Sequence, residues 1–190
     1  MRKYGITGGI GSGKSYVCKL LQDRGIPVFN CDEEARSEML VNAEIHQELE
    51  TLIGVKVITP QGALAKNVIA AYICSDKWHA DKVNQIVHPR VRQRLARWIK
   101  EQKNEIVVVE CALLFESNLN ADVDRTILVL SPLEMRIERV MKRDHTTRQK
   151  VEDWMSLQNS ETENRKRADY LLFNDEEHSL CQQLDNLFVI

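Results

Sequence analysis

Glycine and proline are both scarce in this chain, eight and four among 190 residues, yet half of the glycines fall between Gly8 and Gly13. A sequence so poor in breakers is expected to be rich in regular elements, and a glycine cluster within it marks a backbone with a special task. No apolar run of about 18 residues occurs, so no conventional membrane-spanning helix is expected. The chain passes from Met1-Arg2-Lys3 straight into a strand-like run, without the apolar core of a secretion signal, and the expected location is the cytoplasm. Five cysteines (Cys18, Cys31, Cys74, Cys111 and Cys181) are odd in number and form no C-x-x-C pair. That spacing argues against a disulfide framework and for free thiols in a reducing compartment. The formal net charge of −2 argues against a general nucleic-acid binder, and no membrane partner is expected.

What is present fits a single domain with room for an insertion, since 43% of residues are apolar and 28% charged. Short apolar runs at Lys3–Thr7, Val28–Asn30, Ile106–Val109, Thr126–Leu130 and Tyr170–Phe173 read as strands. Long helical patterns separate them, which predicts an α/β protein with a buried parallel sheet flanked by helices. Residues 33–100 are mostly helical in pattern, with Val55–Ile58 as a further strand candidate and a turn at Thr59-Pro60-Gln61-Gly62. That stretch is too long for one crossover helix and predicts an inserted helical subdomain. Residues 132–169 form a second long, charged helical stretch.

The glycine cluster matches G-x-x-x-x-G-K-[ST] at every fixed position, from Gly8 to Gly13-Lys14-Ser15, between a strand and a helix. Gly9, Gly11, Ser12 and Gly13 would turn backbone N–H groups around the phosphates of ATP, with the positive end of the helix behind them. Lys14 would reach the β- and γ-phosphates and Ser15 would ligate Mg²⁺. Tyr16 stands where many such loops carry threonine, which leaves Ser15 as the hydroxyl at the metal position. Glu110 ends the third strand, where many P-loop enzymes keep an acid that holds Mg²⁺ directly or through water. The loop alone does not separate kinase from ATPase or GTPase. The N-K-x-D tetrad of GTPases is absent, and the chain length with its charged helical stretch favours a small-molecule kinase with a closing lid.

The second strand runs into Asn30-Cys31-Asp32. In an open parallel sheet the carboxyl ends of the strands face one crevice, so Asp32 reads either as a base for an acceptor hydroxyl or as a helix N-cap. The segments "GITGGIGSGKS", "NCDEEAR", "VHPRVR" and "ALLFES", in that order, with "RVMKRD" and "NDEE" near the C-terminus, closely resemble the dephospho-CoA kinase family over nearly the whole chain. The resemblance implies a P-loop core (about 1–36, 105–131 and 168–190), a helical acceptor-binding insertion (about 37–104) and a helical lid (about 132–167). It implies transfer of the ATP γ-phosphate to the ribose 3′-hydroxyl of dephospho-CoA, with Mg²⁺ as cofactor, by a monomer or weak homo-oligomer.

Carried over by position, the resemblance makes Asp32 the base and Arg36 an acceptor ligand. Asn30 replaces the first aspartate of the family's D-A-D motif. His88 and Arg92, in a His-Pro segment that otherwise reads as a helix start, would line the acceptor pocket. Ala112 replaces a proline before Leu113-Leu114-Phe115-Glu116, where the leucines and phenylalanine read as core and Glu116 as an acceptor-site residue. Arg136, Arg139, Arg143 and Arg148 share helical spacing and otherwise read as a solvated face paired with Glu134, Glu138 and Asp144. In the family this stretch is the lid, which makes Arg139 a catalytic arginine and Arg143 a second ATP contact; Arg136 stands where a glutamine is expected. Asn174-Asp175, at the last strand-to-helix junction, would contact adenine or form a surface turn. The alternatives are a kinase for another small hydroxyl acceptor, such as a nucleoside or sugar acid, and a non-catalytic nucleotide-binding regulator.

Overall fold

Short apolar runs separated by helical stretches become five parallel strands in the computed structural model, which describes residues 1–188. In chain order the elements begin with β1 (Arg2–Thr7), α1 (Lys14–Gln22), β2 (Val28–Asn30), α2 (Cys31–Val41) and α3 (Ala43–Ile53). They continue with α4 (Lys66–Ile73), α5 (Lys77–Glu101), β3 (Ile106–Glu110), β4 (Arg125–Leu130) and α6 (Leu133–Asp144). The chain closes with α7 (Arg148–Ser156), α8 (Glu161–Arg167), β5 (Tyr170–Phe173) and α9 (Leu180–Leu187). Each of the five main strand runs read from the sequence is a strand. The chain divides into two units, Met1–Asn30 with the chain from Gln102 onward, and Cys31–Glu101.

The first unit is built on a sheet of order β2-β3-β1-β4-β5. The inner strands are buried nearly end to end, as parallel strands covered on both faces must be. Val17, Cys18 and Leu21 of α1 pack with Tyr4, Ile6, Ile127, Val129 and Leu172 of the sheet, and Leu184 and Phe188 extend the same core. Register then fixes where function can sit. Asn30 pairs with Glu110, Ile6 with Glu110 and Thr7 with Leu128, so the carboxyl ends of β1, β2 and β3 open on one edge of the sheet. Leu130 pairs with Phe173 and brings the ends of β4 and β5 to that edge too.

The second unit is helical. The 25-residue α5 buries a stripe of Val83, Val87, Val91 and Leu95, each about one helical turn from the next. Its outer arginines reach neighbouring helices: Arg90 pairs with Glu44 and Glu48 of α3, and Arg94 with Glu34 and Glu38 of α2. Two sequence readings change here. Val55–Ile58 is not a strand; Ile58 forms only an isolated antiparallel bridge to Leu64, because Thr59 and Gly62 close the intervening chain into a tight turn. The His88-Pro89 step is not a helix start either, since Pro89 lies inside α5. Burial of the valine stripe on both sides of Pro89 outweighs the hydrogen bond that proline cannot make. No helix among the described residues is long and apolar enough to cross a membrane.

Candidate active site

The loop between β1 and α1 is defined by where its carbonyls go. Gly8 O accepts from Lys14 Nζ (2.9 Å), Gly9 O from Ser12 N (3.0 Å) and Ile10 O from Arg136 Nε (3.0 Å). Gly11 O accepts from Arg139 Nη1 (3.5 Å), Ser12 O from Asn174 Nδ2 (2.8 Å) and Gly13 O from Tyr16 N (3.0 Å). Every carbonyl from Gly8 to Gly13 therefore has a donor within the first unit. With the carbonyls turned outward, the amides of Gly11 and Gly13 have no acceptor among the described residues, the arrangement of an anion nest at a helix N-terminus. Ser12 Oγ is likewise buried without a hydrogen-bond partner.

Geometry demands glycine at positions 13 and 8 for different reasons. Gly13 caps α1 in the left-handed region (φ 91°), and a side chain there would collide with the Asn174 amide. At Gly8 a Cβ would lie 2.5 Å from the carbonyl oxygen of Val129, a backbone atom that cannot step aside.

Beside the loop, the buried Glu110 carboxylate at the end of β3 accepts from Ser15 Oγ (2.7 Å) and from Asn30 Nδ2 (3.1 Å). Asn30 thus meets the acid through an uncharged donor, where an aspartate would oppose it. Burial, reinforced by Glu110, pushes the Cys18 thiol far above its ordinary range and keeps it protonated. One carboxylate and one hydroxyl are hard oxygen ligands, the set Mg²⁺ prefers when phosphates and water complete its shell. No cluster of three or more His, Cys, Asp or Glu side chains suited to a metal occurs among the described residues.

The arginines of residues 132–167 divide by position along the helices. Arg136 and Arg139 face the loop: Arg136 lies against Gly9, while Arg139 also donates to Ser131 Oγ (3.0 Å). Burial lowers the Arg136 pKa from its ordinary value, partly opposed by Glu161 at 3.6 Å. Arg143 instead pairs with its neighbour Asp144, and Arg148 forms a two-pronged pair with Glu134 and a further bond to Glu152, the solvated face that spacing alone suggested. Next to Gly9 a cleft of about 320 Å³ is bounded by Leu130, Arg136, Gln158, Glu161 and Asn164. The Asn164 Oδ1 is buried there without a donor.

Other expected residues are placed as follows. Tyr16 points outward and is 58% exposed. Asn174 is buried and tied to the loop through Ser12, whereas Asp175 accepts from Glu177 N and His178 N and shapes a turn. Glu116 Oε1 accepts from Asn159 N, and its Oε2 is buried without a partner. In the second unit, α2 carries Asp32 in its first turn and exposes Arg36. Half-buried His88 of α5 feels the charges of Asp32, Arg92 and Asp81, and its pKa lies below the ordinary value because burial dominates. Sequence reasoning missed Gln158, whose Oε1 accepts from Ile10 N (2.9 Å) across the fold. The only local signal was its position two residues before the Ser160–Glu163 capping box.

Comparison with known proteins extends these observations along the whole chain. The curated dephospho-CoA kinase of Bacteroides fragilis is 38% identical over 183 residues, covering 96% of this chain and 89% of that protein. A crystal structure from Thermus thermophilus superimposes with a TM-score of 0.81 at 34% identity, covering 98% of each chain. The dephospho-CoA kinase of Campylobacter jejuni shares the fold with a TM-score of 0.68 at 18% identity, covering 98% of this chain and 96% of that one. The model of the dephospho-CoA kinase family matches residues 3–179, from the first strand past the Asn174 junction. The likeness therefore extends well beyond the phosphate loop, and the chain belongs to the dephospho-CoA kinase family.

Proposed function

We propose that the chain transfers the γ-phosphate of ATP to the ribose 3′-hydroxyl of dephospho-CoA, giving coenzyme A and ADP, as a cytoplasmic enzyme acting on small molecules. The observation that carries this reading is the phosphate loop with its Ser15–Glu110 pair inside a chain that matches the dephospho-CoA kinase family over residues 3–179.

The Gly11 and Gly13 amides and Lys14 bind the ATP phosphates; Lys14 exchanges its bond to Gly8 O for phosphate oxygens. Ser15 and Glu110 hold Mg²⁺, which supplies positive charge to the β- and γ-phosphates when bound. Asp32 accepts the proton of the 3′-hydroxyl as its oxygen bonds to the γ-phosphorus and the bond to the β–γ bridging oxygen breaks. Arg139, already beside the loop, stabilises charge spreading over the transferring group. Arg36, His88 and Arg92 bind the acceptor, and residues 132–167 exclude water from the reacting atoms.

A coupled ATP–ADP assay over a panel of hydroxyl acceptors tests the reading. Turnover is expected with dephospho-CoA; fast turnover with a nucleoside or sugar acid and none with dephospho-CoA would replace it. Asp32→Asn is expected to lower kcat by about 10²-fold or more while ATP binding survives. An unchanged kcat would leave Asp32 as a helix-end residue only.

A further inference from the structure

We infer that Gln158 and Arg136 are positioning residues that set the conformation of the phosphate loop through Ile10, and with it the affinity for ATP. Ile10 lies between two glycines, Gly9 and Gly11, where the backbone has least to restrain it. Both of its backbone polar groups are taken by side chains distant in sequence: its N–H donates to Gln158 Oε1 (2.9 Å) and its carbonyl accepts from Arg136 Nε (3.0 Å). Its side chain packs against Ile137, Val140 and Val151, the small core joining α6 to α7. The tip of the loop is therefore fastened at three points by residues 132–167.

The consequence is directional. An Ile10 amide committed outward to Gln158 fixes the peptide planes on either side, which leaves the neighbouring glycine amides to face an anion. Glu161, 3.6 Å from the Arg136 guanidinium, helps to hold that side chain in place. Losing either fastener lets the glycines sample other conformations, and ATP must then select the competent one, which weakens its apparent affinity. Once ATP is bound the loop is ordered by the phosphates, so the chemical step is spared. This inference rests on the reading of the loop as an ATP site and not on the identity of the acceptor.

The test is calorimetric titration of ATP, without acceptor, into the wild-type chain, Gln158→Leu and Arg136→Lys, followed by steady-state kinetics. Gln158→Leu keeps the volume and removes the acceptor atom; Arg136→Lys keeps the charge and removes the Nε donor. Each is expected to weaken ATP binding and raise the KM for ATP about tenfold, the scale of one lost hydrogen bond, with kcat at saturating ATP within about twofold. Unchanged ATP affinity, or loss of kcat with KM unchanged, would overturn the inference. Should a variant not fold, hydrogen exchange of the Ile10 amide in the ATP-free wild type decides: strong protection supports the fastening, and the rate of an open amide refutes it. A wild-type chain that does not bind ATP would sink the functional reading and the claim about ATP affinity together, and Ile10 exchange would then decide only whether the loop is fastened.

Discussion

Asn30 is the residue whose substitution says most about the site. Its amide donates to a Glu110 carboxylate that is buried and already accepts from Ser15. An aspartate at that position would set two carboxylates within hydrogen-bonding distance, and like charges in a buried setting destabilise each other. Asn30→Asp is therefore expected to lower the melting temperature in metal-free buffer and to regain much of the loss with saturating Mg²⁺. Equal melting temperatures for variant and parent without metal would refute the account. His88 yields a prediction in pH. Its folded-state pKa is depressed, mainly by burial, so below the ordinary value near 6.5 the unfolded chain takes up the proton first. Stability should then fall as pH drops from about 6.5, against the opposing attraction of Asp32 and Asp81 and with the help of Arg92. His88→Gln should lose less stability over that range in denaturant titrations; parallel curves would contradict it.

The elements were legible from the sequence wherever one local pattern decided them. β3 and β4 are runs of branched apolar residues ended by glutamate or a Ser-Pro step, and β1 runs straight into the glycine cluster; nothing in the fold competes with those patterns. The phosphate loop was legible for the same reason, because its lysine and glycines are spaced by their own chemistry. Val55–Ile58 misled because a short apolar run looks alike in a strand and beside a turn. His88-Pro89 misled because α5 keeps its apolar stripe through the proline. That stripe can be tested directly. Leu95 is 1% exposed, and Leu95→Ala is expected to destabilise the chain by about 2–5 kcal/mol in denaturant unfolding. A change below about 1 kcal/mol would mean that α5 is not packed as described.

At the scale of the whole molecule, the candidate site was only half legible. Lys14, Ser15 and Glu110 announce themselves by motif and by strand end, but the partners that shape the loop lie 126 residues away at Arg136, 148 at Gln158 and 162 at Asn174. No local pattern carries such pairings; they exist only once β4, β5 and the α6–α8 segment are assembled. The cysteines offer a global check on that assembly. Cys18, Cys31 and Cys111 are buried, whereas Cys74 and Cys181 are exposed, and none of the five forms a disulfide among the described residues. An aromatic disulfide reagent should thus titrate two thiols quickly in the native chain and five after denaturation. Five fast thiols under native conditions would show that the cores do not close as described.

The carbonyl ties of the phosphate loop also bear on how portable the motif is. A peptide carrying Gly8–Ser15, or a graft of those residues into another strand-to-helix junction, would take along the amides, the lysine and the serine. It would leave behind Arg136, Arg139, Gln158 and Asn174, which orient the peptide planes from outside. Such a transplant should bind phosphate weakly until those donors and the acceptor are supplied as well. In this chain the consensus is a fragment of a larger instruction, whose other parts lie on α6, between α7 and α8, and just past β5.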